Sequence, residues 1–355
     1  MIRFTIAALV ITSLVACQYL ANLRSREAGG LGQPSEVLPP AVRVQTFPLR
    51  EGSDLIGRVQ IVTTRHEDTL FDVARKFDLG IKELAQANPG VDKWVPGEGR
   101  RVILPTQFIL PDAPHKGIVL NLAAMRLFYY PKPKPGETPV VITHPIGIGR
   151  ENWSTPIGLT KVVKKVANPS WVVPASIRKE HAAIGDPLPA VVLPGPDNPL
   201  GTHALRLGLS SYLIHGTNKP EGIGMRVSHG CIQLYPEDIE TLFHQVPVGT
   251  QVRIVNHPYL AGWQDGMLYL QAHKPLEEQA RAWSDSLMPM VQAVKKAMSR
   301  KAPAGIAIDW DRAEQLAKSA QGVPMPISPA DAQLDNGLDN DSARALNTAG
   351  YGSYR

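Results

Sequence analysis

The chain reads as a mainly β protein: a β-sandwich or barrel domain at 116–256, a small α/β module before it at 59–105, and a helical extension after it at 257–321. Three observations predict this. From Gly117 onward, short β-rich runs are separated by turn residues, as in sandwiches and barrels. Residues 59–105 switch from alternating to helical spacing and back. Beyond Glu277, apolar residues recur on one helical face. With 355 residues, 43% of them hydrophobic, the chain can build two small cores plus appendages.

Taken in order, residues 1–16 carry one positive charge at Arg3 and an apolar run from Phe4 to Ala16, too short for a permanent membrane helix and read as a signal peptide. Residues 17–58, with Gly29-Gly30 and Pro39-Pro40, read as a tether. The module then opens with an alternating strand at Val59–Thr63. Asp68-Thr69 caps a helix running to Phe77, a second helix spans Ile81–Ala87 up to Asn88-Pro89-Gly90, and Val102–Pro105 is the closing strand.

The β domain is expected from Ile118–Leu122, Arg126–Tyr130, Val140–Thr143, Gly158–Val162, Leu205–Leu207, Tyr212–Ile214 and Val252–Val255. Trp171–Gly201, rich in proline and poor in periodicity, is expected to form a lid or groove wall. Pro236–Phe243 is a short amphipathic helix with proline in its first turn. Asp265-Gly266 suits a hairpin turn. A helix over Glu277–Arg300 carries Ala280, Trp283, Leu287, Val291, Val294 and Met298 on one face and is interrupted at Pro289. Another helix is expected over Asp309–Ala320, and the composition of 322–355 predicts disorder.

The chemistry concentrates between Ile214-His215-Gly216-Thr217 and Val227-Ser228-His229-Gly230-Cys231-Ile232. Two histidines stand near the one cysteine outside the leader. A thiol with its ordinary pKa of about 8.5 is mostly protonated at neutral pH, so a neighbouring imidazole that takes its proton makes it a nucleophile. His215, at a strand end, is the first candidate base and His229 the second. Gly230 permits a tight turn whose main-chain N–H groups could hold an oxyanion, so Ser228, Gly230 and Gly216 are candidate oxyanion or substrate residues. A zinc site from Cys231, His229 and His215 would lack a Cys-x-x-Cys or His-x-x-x-His pair, so no metal and no cofactor is expected.

These residues carry a resemblance. His, a spacer and then Ser-His-Gly-Cys, preceded by Gly222-Ile223-Gly224-Met225-Arg226 and followed by Pro236-Glu237-Asp238-Ile239, resembles the L,D-transpeptidase (YkuD) family of bacterial cell-wall enzymes. Asp186–Pro189, Gly195–Gly201 and Val246–Thr250 extend the likeness toward its periplasmic Gram-negative members. With the preceding module, which is similar to a LysM unit binding the N-acetylglucosamine of peptidoglycan, it covers about residues 59–275. Glu67 stands where LysM units carry glycine. Gln233 stands where the family commonly has Arg or Asn, so a charge that would pair with a donor carboxylate must come from elsewhere, and Arg226 is the nearest candidate.

The resemblance implies acyl transfer from peptidoglycan tetrapeptide stems. Cys231 would expel the terminal D-alanine, and the acyl group would pass to an amine of another stem, giving a 3→3 crosslink, or of an envelope lipoprotein. A hydrolase using water, and a non-catalytic wall-binding lipoprotein, are the alternatives. Leu14-Val15-Ala16-Cys17 resembles a lipobox, which implies lipidation of Cys17 and, with Gln18 following, outer-membrane anchoring in the periplasm; ordinary cleavage is the other reading. Cys17 in the leader and Cys231 in the motif leave no pair for a disulfide. A modest net charge of +5, spread along the chain without aromatic interleaving, argues against nucleic acid as a partner.

Overall fold

A computed structural model of the chain describes residues 42–284, 286–302 and 305–329. The expected signal segment, Cys17 and residues 330–355 of the expected tail lie outside them. The N-terminal part contains β1 (Thr46–Pro48), β2 (Leu55–Gly57), β3 (Gln60–Thr63), α1 (Leu70–Lys76), α2 (Ile81–Ala87), β4 (Arg101–Leu104) and β5 (Gln107–Ile109). Thr69 caps α1 reciprocally with Asp72: its hydroxyl accepts from the Asp72 N–H, and the Asp72 carboxylate accepts from the Thr69 N–H, each at 3.1 Å. Asn88 explains the Asn-Pro-Gly at the end of α2. Its buried amide donates to the Leu84 and Ile103 carbonyls and accepts from the Ile103 N–H, locking α2 onto β4.

The central part comprises β6 (Gly117–Asn121), β7 (Arg126–Tyr130), β8 (Val140–Pro145), β9 (Ile148–Gly149), β10 (Gly158–Ala167), β11 (Trp171–Val172), α3 (Ala175–Ala183), β12 (Val191–Val192), β13 (His203–Leu207), β14 (Leu213–His215), β15 (Arg226–Ser228), β16 (Ile232–Gln233), α4 (Pro236–Gln245) and β17 (Gln251–Val255). Nine strands form one sheet in the order β1-β8-β7-β6-β17-β10-β13-β14-β16. Neighbours are antiparallel except β6 with β17 and β14 with β16.

Both faces of this sheet are covered around β6 and β7, which is why these strands read as nearly unbroken apolar runs rather than as alternation. Ile118, Leu120, Leu127 and Tyr129 face a core completed by Ile214, Ile232, Ile239 and Leu242. Val119, Phe128, Tyr130 and Val141 face the other way and share a core with Leu70, Val73, Leu79 and Leu84 of the α/β module.

Two buried polar networks tie the same seam. Arg126 of β7 pairs with Glu83 of α2 at 2.7 Å, both nearly inaccessible, and its guanidinium lies 4.1 Å from the Phe108 ring centroid. His144 of β8 sits 3.2 Å from Asp78 and 3.5 Å from Asp238 of α4. Burial opposes its protonation, but the two carboxylates outweigh burial and push it up to about 9. Asp78, His144 and Asp238 are also the described residues whose ligand atoms crowd within 4.8 Å. Arg43, 2.6 Å from Asp238, and protonated His144 offset the two carboxylates.

The C-terminal part has β18 (Tyr259–Gln264), β19 (Met267–Ala272), α5 (Glu277–Trp283), α6 (Met288–Lys301), α7 (Trp310–Ser319) and β20 (Met325–Pro326). Asp265 and Gly266 turn the hairpin with φ of 49° and 77°, the two positive values that a type I′ turn needs. Trp263, Leu268, Leu270, Met290, Val294 and Ala313 form the local core.

Four expectations need correction. Residues 42–58 are no tether: β1 pairs with β8 at the sheet edge and β2 with β5, segments too short for periodicity to reveal. Within 322–329, Met325–Pro326 form β20 against β19 and Ile327 lies in the core. Trp171–Gly201 holds the helix α3, hidden in sequence because only Ile177 of it is buried. The expected 277–300 helix breaks at Ser284, in left-handed conformation, and Pro289 lies in the first turn of α6.

Candidate active site

The parallel pair β14–β16 builds the site. Ile214 lies opposite Ile232 and His215 opposite Gln233, so by strand alternation Cys231 and His215 lie on one face, diagonal to each other. The neighbouring Ile214 and Ile232 plug the opposite face into the core, which fixes that register. His215 is buried, and its Nδ1–H donates to the Gly216 carbonyl at 2.6 Å, which leaves the lone pair on Nε2. Burial drives this imidazole down to about 4, with the Gly216 and Leu200 carbonyls opposing, so it is neutral at neutral pH. Leu200 is itself set by buried Asn198, which accepts from the Leu200 N–H and donates to the Pro169 carbonyl.

Cys231 is a half-buried free thiol that donates to the Ser211 carbonyl at 3.6 Å. Burial pushes it above its ordinary range, with a backbone bond from Leu213 opposing. Burial thus disfavours the charged form of both groups. Ser228 shapes the turn: its hydroxyl accepts from the Gly230 N–H at 3.1 Å and donates to the Cys231 carbonyl at 2.6 Å. Gly230 has φ of 101°, and a Cβ there would stand 2.9 Å from the Tyr212 ring, so the turn requires glycine.

Residues 115–254 match the model of the L,D-transpeptidase catalytic domain, YkuD. The probable L,D-transpeptidase YbiS of Escherichia coli K12 is 48% identical over 236 residues, which span 65% of this chain and 76% of that protein.

The chain belongs to the L,D-transpeptidase family.

It is thus an enzyme of a family that acts on peptidoglycan. The probable L,D-transpeptidase ErfK/SrfK of Salmonella typhimurium LT2 is 40% identical over 290 residues, 80% of this chain and 91% of that protein. Among solved structures, L,D-transpeptidase 3 of Mycobacterium tuberculosis aligns at 18% identity over 62% of this chain and 97% of that one, with a TM-score of 0.29.

Within this L,D-transpeptidase, the expected site residues separate into two groups. Cys231, His215, Gly216 and Gln233 share the β14–β16 edge, where Gln233 exchanges both backbone hydrogen bonds with Gly147. His229 turns elsewhere: its Nε2 lies 2.7 Å from Arg150 Nη2 and 3.3 Å from Glu180 Oε2, and its ring meets Trp153 edge-on, with centroids 5.1 Å apart. It is hydrogen-bonded to neither Cys231 nor His215. Arg226 is not the expected substrate cation, because it is only 10% exposed and is consumed by Glu277, Glu278 and the Gly149 carbonyl. The Ser228 hydroxyl and the Gly230 N–H are spent on each other, which removes them from the oxyanion set.

Sequence reasoning missed Arg150 and Glu180. Arg150 follows the short strand β9, which pairs with β15 just before the cysteine turn, and its Nη2 lies 2.6 Å from Glu180 on α3. Only the pairing of segments some 30 and 80 positions apart brings these groups together.

Proposed function

We propose that Cys231 is the nucleophile and His215 the general base of a two-step acyl transfer on peptidoglycan tetrapeptide stems. The observation that carries this is the register placing Cys231 and His215 on one face of two adjacent strands, with Nδ1 of His215 anchored so that Nε2 is the basic atom. As Sγ attacks the carbonyl at the L-centre of meso-diaminopimelate, its proton passes to Nε2 and the carbon–sulfur bond forms. The main-chain N–H of Cys231 supports the oxyanion. Collapse breaks the amide bond, Nε2 returns the proton to the leaving D-alanine amine, and a thioester remains. An incoming amine, deprotonated by His215, then releases Cys231. A stem amine gives a 3→3 crosslink and a lipoprotein lysine gives an attachment.

The L,D-transpeptidase relatives in Gram-negative bacteria support a periplasmic location, and the lipobox-like residues around Cys17 support an outer-membrane anchor. The βααβ order of 60–104 supports glycan binding by a LysM-like module, which here is also built into the enzyme's core.

Intact mass spectrometry of the chain from residue 18 onward with meropenem tests the nucleophile. One covalent adduct is expected, absent in Cys231→Ala and formed about 100-fold or more slowly in His215→Ala. An adduct that persists in Cys231→Ala would refute the assignment. Muropeptide products with and without added amine then separate transfer from hydrolysis.

A further inference from the structure

The site needs a cation for its anionic donor, and the one expected source, Arg226, fails. Gln233 is neutral, and Arg226 is locked between Glu277 and Glu278. Arg150 differs from Arg226 in every relevant respect. Its backbone N–H donates to the Ser228 carbonyl at 3.0 Å, so it is bonded directly to the cysteine turn. Gly149 before it packs so closely that a Cβ there would stand 2.9 Å from the Gly230 Cα. Its guanidinium is 38% exposed, lies 2.7 Å from His229 Nε2 and meets one carboxylate, Glu180, at 2.6 Å.

Glu180 is held from outside its own helix, by Arg150 at 2.6 Å and His229 Nε2 at 3.3 Å. It is 36% exposed and rides on α3, which buries only Ile177. Ion pairs this exposed are individually weak. A helix with one buried side chain shifts at little cost.

We propose that Arg150 is the receptor for a donor carboxylate, and that Glu180 occupies it as an internal stand-in until substrate displaces it. This rests on Cys231 being the nucleophile, since Arg150 is placed by the cysteine turn. Two donor carboxylates share the required chemistry: that on the D-centre of diaminopimelate and that of the terminal D-alanine. A planar guanidinium receives either one through two parallel hydrogen bonds. His229, held by the same guanidinium and by Trp153, is a positioning residue for it.

The test uses the chain from residue 18 onward and three tetrapeptide stems: unmodified, amidated on diaminopimelate, and amidated on the terminal alanine. Wild type is expected to lose about 10- to 100-fold in kcat/KM on one amidated stem, which identifies the carboxylate received. Arg150→Gln is expected to lose as much on the unmodified stem and to stop discriminating it from that amide. Glu180→Gln is expected to lower KM for the unmodified stem several-fold, leaving KM for that amide unchanged. Equal turnover of all three stems by wild type, or discrimination retained in Arg150→Gln, overturns the proposal. Iodoacetamide alkylation of wild-type Cys231, followed by mass, tests the nucleophile separately, because that reagent carries no carboxylate.

Discussion

At the residue scale, the decisive feature is that burial, rather than a formed ion pair, sets the protonation of the proposed dyad, Cys231 and His215. Burial holds His215 at about 4, against an ordinary value near 6.5. Burial also raises the Cys231 thiol. His215 is then uncharged across the neutral range and, in the proposed mechanism, takes the proton during attack, which differs from a preformed thiolate–imidazolium pair. The sign of the pH dependence follows. Lowering the pH removes the base only as His215 protonates, so meropenem acylation should persist to about pH 5 and fall with a midpoint near 4. Initial rates from intact mass, corrected for the His215→Ala background, check this. An acid limb near 6.5 would show a solvated imidazole and sink the argument. The need for Gly230, and Cys231 and His215 as the proposed nucleophile and base, were legible in the sequence because a tight turn and reactive groups are tied to residue type. The engagement of Arg226 and His229 was not, since their partners Glu277, Glu278, Arg150 and Glu180 are remote in the chain.

At the element scale, α2 and β7 are joined by a buried pair that makes the small module part of the enzyme's framework. Arg126 and Glu83 are both almost fully inaccessible, and Arg126 also reaches Thr143 and the Asp78 carbonyl. Removing one partner strands the other charge in a low-dielectric interior, which costs about 3–5 kcal/mol. Glu83→Gln should therefore lower the urea midpoint by an amount equivalent to that loss, with the slope unchanged. A loss below about 1 kcal/mol would mean that water reaches Arg126 and that the pair is no anchor. The helix spacing of residues 70–87 and the strands of the β domain were readable because core-facing side chains recur at fixed periods. The two-residue strands β9 and β16, and the helix α3 with its single buried side chain, carry no period to read.

At the scale of the whole molecule, the nine-stranded sheet is covered on one side by its own α4 and on the other by the module. The boundaries 116–256 therefore enclose the chemistry but not a complete core. Expressed alone, 116–256 would expose Val119, Phe128, Tyr130 and Val141 and lose the edge strand β1. It should be insoluble or bind a hydrophobic dye strongly. Residues 42–329 should give a cooperative thermal transition without dye binding, and a soluble, cooperatively folding 116–256 fragment would contradict the shared core. The amino-acid sequence by itself determined the mainly β class and most of the strands, and it singled out the proposed nucleophile and base, because periodicity and reactive side chains are local properties. Only the tertiary structure decided that residues 42–58 and 322–329 belong to the packed body and that Arg226 is spent on α5. It alone also showed that Arg150 stands beside the cysteine turn, because these depend on pairings between distant segments that local sequence does not encode.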